Sequence, residues 1–218
     1  MKGCIRQAAG RAVALGVIGL ARTLTGIRAT GRQPSGPAGA RVYFANHGSH
    51  ADFVLLWTGL PPALRRRTRP VAASDYWRLG VLRRFIAEAV FDAVLIERNP
   101  ENRTKDPVEL MCRSLDQGRS LILFPEGRRN EDEARLLPFR TGLYHLAAAR
   151  PETQLVPVWL DNAKRVLPRG KTVPVPLACT ARFGRPLHLA EDEAKEAFLV
   201  RARSALISLA TGEEEGRQ

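Results

Sequence analysis

Apolar runs of four to six residues, too short to be helices, recur between longer helical segments across residues 41–210. The strand-length runs are 42–45, 70–73, 93–96, 121–124, 155–160 and 178–183. The segments of helical length between and after them are 51–60, 76–89, 107–116, 140–149 and 191–210. Short β-strands alternating with helices bury their apolar faces by forming one sheet with helices on its faces. The pattern predicts an α/β fold, a mixed central sheet flanked by helices. Local punctuation agrees with it. Pro61 and Pro62 close the 51–60 segment, while Pro107 sits in a first turn with Gly118 just past the end. No internal repeat is present.

The chain has 218 residues with 34 Lys and Arg against 22 Asp and Glu, a formal charge of +12. An excess of this size points to nucleic acid, an anionic membrane surface or a phosphorylated ligand. Aromatics make up only 6%, which argues against a nucleic-acid surface, where bases stack on aromatic side chains. Three cysteines, Cys4, Cys112 and Cys179, form neither a disulfide framework nor a metal spacing and fit a reducing compartment. The densest basic cluster is Arg65, Arg66, Arg67 and Arg69. It reads first as a solvated face and second as a membrane or carrier-docking surface.

Residues 1–40 carry six bases and no acid. Their longest apolar run, 12–21, would give about 15 Å of helix, half the thickness of a bilayer core of roughly 30 Å. Ile5, Ala9, Val13, Val17, Leu20, Leu24 and Ile27 nevertheless recur at helical spacing with arginines beside them. This predicts an amphipathic helix lying in the membrane interface and too short to span it. A core-packed helix and a secretory signal are the competing readings, and no Ala-x-Ala cleavage site follows the run. The chain then divides into a membrane-associating segment 1–32, a linker 33–40, a core domain 41–210 and an acidic tail 211–218.

Two clusters could carry chemistry. The first, Asn46-His47-Gly48-Ser49-His50-Ala51-Asp52, follows a strand and opens a helix, the edge where α/β sheets offer ligands their functional groups. A histidine paired with a carboxylate is a general base poised near neutral pH. Ser49-x-x-Asp52 also matches a helix capping box, and both readings can hold. Metal ligation by His47, His50 and Asp52 lacks a second cluster of ligands. A Ser49 nucleophile lacks the Gly-x-Ser-x-Gly turn that would expose it.

The second cluster, Phe124-Pro125-Glu126-Gly127-Arg128-Arg129, follows the 121–124 run. From this composition its first four residues would arise by chance about 0.003 times per chain, so the motif carries weight. Pro125 and Gly127 suit a turn. A turn does not explain a carboxylate beside two guanidiniums, whose planar forks match phosphate oxygens. Glu126 is expected to hold one of those arginines in place.

Asn46-His47 with Asp52, Arg98 after Val94-Leu95-Ile96-Glu97, Phe124 to Arg129, and Val156-Pro157-Val158 occur in that order. The series resembles the four sequence blocks of the glycerolipid acyltransferases, the 1-acylglycerol-3-phosphate acyltransferase family, across residues 41–160. The resemblance implies that His47 is the general base and that Asp52 orients and polarises it. It implies that Arg98, Glu126, Gly127 and Arg129, with Arg128 beside them, bind the acceptor's phosphate, and that Pro157 lies near the acyl-donor site. It implies a domain over 41–210 that moves a fatty acyl group from acyl-CoA or acyl carrier protein to the hydroxyl of a lysophospholipid. The acceptor expected first is 1-acyl-sn-glycerol-3-phosphate. No metal or other cofactor and no nucleic acid is expected, and the place of action is the cytoplasmic face of the inner membrane. Two blocks depart from the family pattern. Asp92 and Leu95 stand where the second block often has Gly and Phe, and Arg128 and Asn130 where the third often has Thr and Ser. These departures bear on the acceptor. A different lyso-lipid acceptor and a non-catalytic basic membrane-binding protein are the alternatives.

Overall fold

The structure is a computed structural model describing residues 2–32, 39–49, 51–166 and 175–211. Most of the expected linker, His50 and the expected acidic tail beyond residue 211 lie outside these residues.

The described residues form one seven-stranded sheet in the order β1-β7-β6-β2-β5-β3-β4. The strands are β1 (Arg28–Gly31), β2 (Arg41–Ala45), β3 (Thr68–Ala73), β4 (Val94–Ile96), β5 (Ser120–Leu123), β6 (Gln154–Asp161) and β7 (Thr180–Phe183). The five strands β2 to β6 run parallel to one another. β7 pairs antiparallel with β6, and β1 pairs parallel with β7. The sheet is therefore mixed, as the α/β pattern predicts.

Both faces are covered, so its strands read as continuous apolar runs. β2 shows this with a period of two. Val42 and Phe44 face a core built with α6 (Pro107–Asp116), α7 (Gly142–Ala149) and α9 (Lys195–Thr211). Tyr43 and Ala45 face the opposite core, with α2 (Asp52–Gly59) and part of α1 (Lys2–Thr25). The remaining helices, α3 (Pro62–Arg65), α4 (Ser74–Trp77), α5 (Val81–Phe85) and α8 (Ala163–Val166), are one turn or little more. α6 has the boundaries its sequence predicts. Asp106 caps it by accepting the Val108 N–H at 2.9 Å, Pro107 occupies its first position, and Gly118 follows its end at φ 71°.

Three expectations are corrected. The 76–89 segment is not one helix. Gly80 at φ 86° breaks the helix between α4 and α5, and α5 continues as a π-helical turn, Ile86–Val90. The sheet begins at Arg28, not near Arg41, because β1 pairs with β7 and fixes the N-terminal segment to the domain.

The third correction concerns α1, a continuous helix of 24 residues. At 1.5 Å per residue it measures about 36 Å, so the ten-residue apolar run understates it, and its length no longer excludes a span. The helix divides its faces between the domain and the outside. Gly10 is buried, and Ala14, Val17 and Ile18 pack on the domain. Ile5, Val13 and Leu20 of the expected stripe are exposed, as is Leu15. A Cβ at Gly10 would collide with the Ala89 carbonyl, so only glycine permits this close approach to the π-turn.

Candidate active site

β2, β3, β4 and β5 end at one edge of the sheet, and the candidate residues follow those ends. His47 lies two residues beyond β2. Its backbone is gripped from both sides by the segment that follows β5. The His47 N–H donates to Glu126 Oε1 at 2.6 Å, and the Asn130 N–H donates to the His47 carbonyl at 2.6 Å. Asn46 locks the preceding residue. Its side chain accepts from the Leu160 N–H at 2.8 Å and donates to the Leu160 carbonyl at 3.1 Å, extending the β2–β6 ladder by a side chain.

The imidazole stacks on Phe124, with ring centroids 4.3 Å apart and planes 20° from parallel. Its Nδ1 lies 2.8 Å from Asp52 Oδ2. Asp52 is fully buried, and the same oxygen accepts the N–H groups of Gly48 at 2.7 Å and Ser49 at 2.8 Å. Asp52 Oδ1 is buried without a hydrogen-bond partner among the described residues. With a carboxylate at Nδ1, the neutral ring carries its proton there and leaves Nε2 as a lone-pair acceptor. The capping reading is half right. Asp52 reaches back to the Ser49 N–H, while Ser49 Oγ accepts from Ala51 at 3.1 Å. One carboxylate thus ties down the helix start and orients the ring.

The second cluster forms a β-turn from Phe124 to Gly127, closed by a 3.1 Å bond from the Gly127 N–H to the Phe124 carbonyl. Gly127 has φ 72°, and a Cβ there would crowd Arg140 Cγ at 2.9 Å. Glu126 does not hold an arginine, which corrects the expectation. It is buried, and its two oxygens accept the backbone N–H groups of His47 and, at 2.9 Å, Leu137. Burial pushes its carboxyl above the usual carboxylate range, against those two N–H groups. Its position is that of a clamp between two loops, not of a ligand for phosphate.

Gly127, Arg128 and Arg129 line a cavity of about 410 Å³ together with His47 and Arg98. Apolar side chains cover much of its wall, among them Phe53, Trp77, Phe91, Ile96 and Phe124. Each arginine is held by a carboxylate: Arg98 by Asp75 at 2.6 Å, Arg128 by Asp132 at 2.9 Å, and Arg129 by Glu131 at 3.7 Å. The Arg98 guanidinium holds the Asp75 carboxyl below the usual carboxylate range. These pairs are partly or largely solvent-exposed, a class worth about 0–1 kcal/mol, so an entering dianion can displace them. His47 and Gly48 also border a second, more polar cavity of about 400 Å³ with Arg135, Trp159 and Arg165. His47 thus lines both cavities.

Pro157 is the expected site residue that the structure does not bring to the site. It is buried in β6 opposite Phe44 and lines neither cavity. Its carbonyl accepts from Gly184 just where the β6–β7 ladder ends. Its missing N–H therefore faces the one place in a central strand where no donor is needed. The aromatic wall was not foreseen. Phe53, Trp77 and Phe91 come from separate segments, and only tertiary contact unites them.

Known proteins resemble this chain in sequence and in fold. The family model described as Acyltransferase matches residues 26–161, more than half of the chain. The chain belongs to the acyltransferase family. The 1-acyl-sn-glycerol-3-phosphate acyltransferase of Limnanthes douglasii is 30% identical over 152 residues, covering 67% of this chain and 50% of that protein. The Salmonella typhimurium protein of the same name is 28% identical over 148 residues, 64% of this chain and 55% of its own. The chain thus spans about half the length of these relatives. The fold is shared with the 1-acyl-sn-glycerophosphate acyltransferase PlsC of Thermotoga maritima. The TM-score is 0.69 at 17% identity, over 98% of this chain and 84% of that one.

Proposed function

We propose that this protein transfers a fatty acyl group from an acyl-CoA or acyl-carrier-protein thioester to the hydroxyl of a lysophospholipid. The first candidate acceptor is 1-acyl-sn-glycerol-3-phosphate, the substrate in the names of its relatives. The observation that carries the reading is one cavity holding three components: the Asp52-oriented imidazole, the Arg98, Arg128 and Arg129 guanidiniums, and an apolar wall.

An alcohol is a poor nucleophile until a base removes its proton as it attacks. His47 Nε2 takes that proton, and Asp52 stabilises the imidazolium that forms. The alkoxide oxygen attacks the thioester carbonyl carbon, and a tetrahedral oxyanion forms. Its collapse breaks the C–S bond, and the thiolate leaves with the proton from His47. The substrate hydroxyl takes the role of an enzyme serine, so no covalent enzyme intermediate is needed. The arginines hold the acceptor's phosphate and so fix its hydroxyl beside the imidazole, which lowers the entropic barrier. The aromatic wall suits hydrocarbon. Two cavities that share His47 as a lining residue suit a reaction that joins two substrates. α1, with exposed Ile5, Leu15 and Leu20, is the element that associates with the cytoplasmic face of the membrane, where both amphiphilic substrates reside.

Replacement of His47 by alanine is expected to lower turnover by about 10³-fold, with the unfolding midpoint unchanged. A folded variant with near wild-type turnover sinks the mechanism. Asp52→Asn separates orientation from capping. Its amide oxygen still accepts the Gly48 and Ser49 N–H groups, so stability is retained while turnover falls by about 10²–10⁴-fold. Unchanged turnover would leave Asp52 as a helix-start residue alone. A different acceptor is favoured by one observation, the third guanidinium that Arg128 adds to the cavity where the family often has threonine. Turnover of several labelled lysolipids side by side decides between acceptors.

A further inference from the structure

Residues 78–84 read Arg-Leu-Gly-Val-Leu-Arg-Arg. In the break between α4 and α5 and the first turn of α5, Leu79, Val81 and Leu82 are exposed by 62%, 88% and 71%. Residues 78–84 are all exposed, and a Cβ added at Gly80 would meet nothing within 4 Å. Single exposed leucines are ordinary, but three large apolar side chains exposed within four residues are not.

The surroundings of this patch specify what covers it. Residues 78–88 carry Arg78, Arg83 and Arg84 and a single carboxylate, Glu88. Arg83 lies over the Tyr76 ring at 4.5 Å, so its stem follows the apolar surface. Apolar side chains rimmed by arginines are the arrangement of an interfacial membrane segment, in which hydrocarbon enters below the headgroups and guanidiniums meet the phosphates. The patch is also coupled to two other features. Tyr76 and Trp77, just before it, line the cavity that holds His47. Glu88 accepts from Arg84 at 2.8 Å and from Arg6 at 2.7 Å, tying the patch's helix to α1.

We propose that the Leu79–Gly80–Val81–Leu82 turn is a second membrane-inserting element, seated in the interfacial layer of an anionic phospholipid bilayer. Together with α1 it holds the aromatic wall of the cavity against the lipid from which the substrates come. The choice of a bilayer as occupant rests on the lysolipid reading above, and the experiment keeps the two separable.

The test uses the full chain with Cys4→Ser, since Cys112 and Cys179 are buried. Val81→Cys carries a bimane label and is mixed with vesicles of phosphatidylcholine and phosphatidylglycerol. Its emission is expected to shift to the blue and to be quenched by nitroxide-bearing lipids. The same label at Val200, 66% exposed on α9, is expected to do neither. Absence of shift and quenching at position 81 overturns the proposal, and this readout needs no turnover. Separately, the triple variant Leu79→Ser, Val81→Ser, Leu82→Ser is expected to raise the half-saturating vesicle concentration by about tenfold. Its kcat/KM on a monodisperse short-chain lysophospholipid should stay within about twofold. Equal losses in the two assays overturn it. So does a wild-type dimer, seen by sedimentation with no lipid present, that the variant abolishes, because the patch would then join two copies.

Discussion

Two groups of arginines in this chain have opposite fates. Arg65, Arg66, Arg67 and Arg69 are neighbours in sequence and look like a surface for something negative. The structure spends most of them internally. Arg65 is buried against Trp57, Arg67 donates through Nε and Nη2 to the Gly118 carbonyl, and Arg69 binds the Asp92 carbonyl, Asp92 Oδ1 and Ser114 Oγ. Even the Arg66 carbonyl is used, by Arg119. Arg66 and Arg67 remain exposed, so a solvated face describes part of the cluster. Arg98, Arg128 and Arg129 are dispersed over two segments and converge on one cavity, each paired with a carboxylate that an anion can replace. Charge density along a sequence does not locate a binding site. What matters is whether the guanidinium's donors are already consumed by carbonyl oxygens.

The largest expected difference is in activity. Arg129→Met or Arg98→Met should lower kcat/KM for a phosphate-bearing acceptor by about 10–100-fold, the worth of a charged hydrogen bond. The unfolding midpoint should hold. Arg67→Met should do the reverse, losing stability while each folded molecule turns over normally. Equal turnover losses from the two groups would abolish the distinction.

Glu126→Gln probes the clamp beneath Arg128 and Arg129. A glutamine oxygen can accept only one of the two backbone N–H groups, so unfolding in urea should show a loss of about 1–3 kcal/mol. The pH dependence sharpens this. The folded-state pKa is raised, so the group's contribution to stability is greatest below the ordinary carboxylate range. It declines as pH rises through the raised value. The glutamine variant should lack that decline.

Asp92 tests the structural group more finely. It lies at φ 49°, a left-handed conformation that explains why related sequences often have glycine there, and Arg69 brackets it. Asp92→Ala should be less stable than Asp92→Gly by about 1 kcal/mol, measured by thermal unfolding. The smallest effect is expected at Arg65, whose Nη1 is buried without a hydrogen-bond partner among the described residues and whose positive charge burial disfavours. Arg65→Met keeps the packing on Trp57 and removes an uncompensated charge, so its stability should be unchanged or slightly higher. A loss of several kcal/mol would show that the charge is paired after all.

The α/β class, most strands and helices α2, α6, α7 and α9 were legible in the sequence. Strand and helix periods are local, and markers such as Pro107 and Gly118 lie next to the ends they mark. The His47–Asp52 pair was legible for the same reason, since both belong to one loop and its helix. Other features were decided by contacts between distant segments. Glu126 became a clamp because His47 and Leu137 bring their N–H groups to it. Pro157 became a strand residue because the β6–β7 ladder ends beside it. The inward face of α1 was chosen by the π-turn against which Gly10 fits. By itself, the sequence determined most of the elements, the His47–Asp52 pair and the family's motifs, because these depend on residues within a turn or two of one another. The tertiary structure alone decided which arginines remain available to a phosphate and which apolar residues remain exposed, because both depend on what the rest of the chain has already covered.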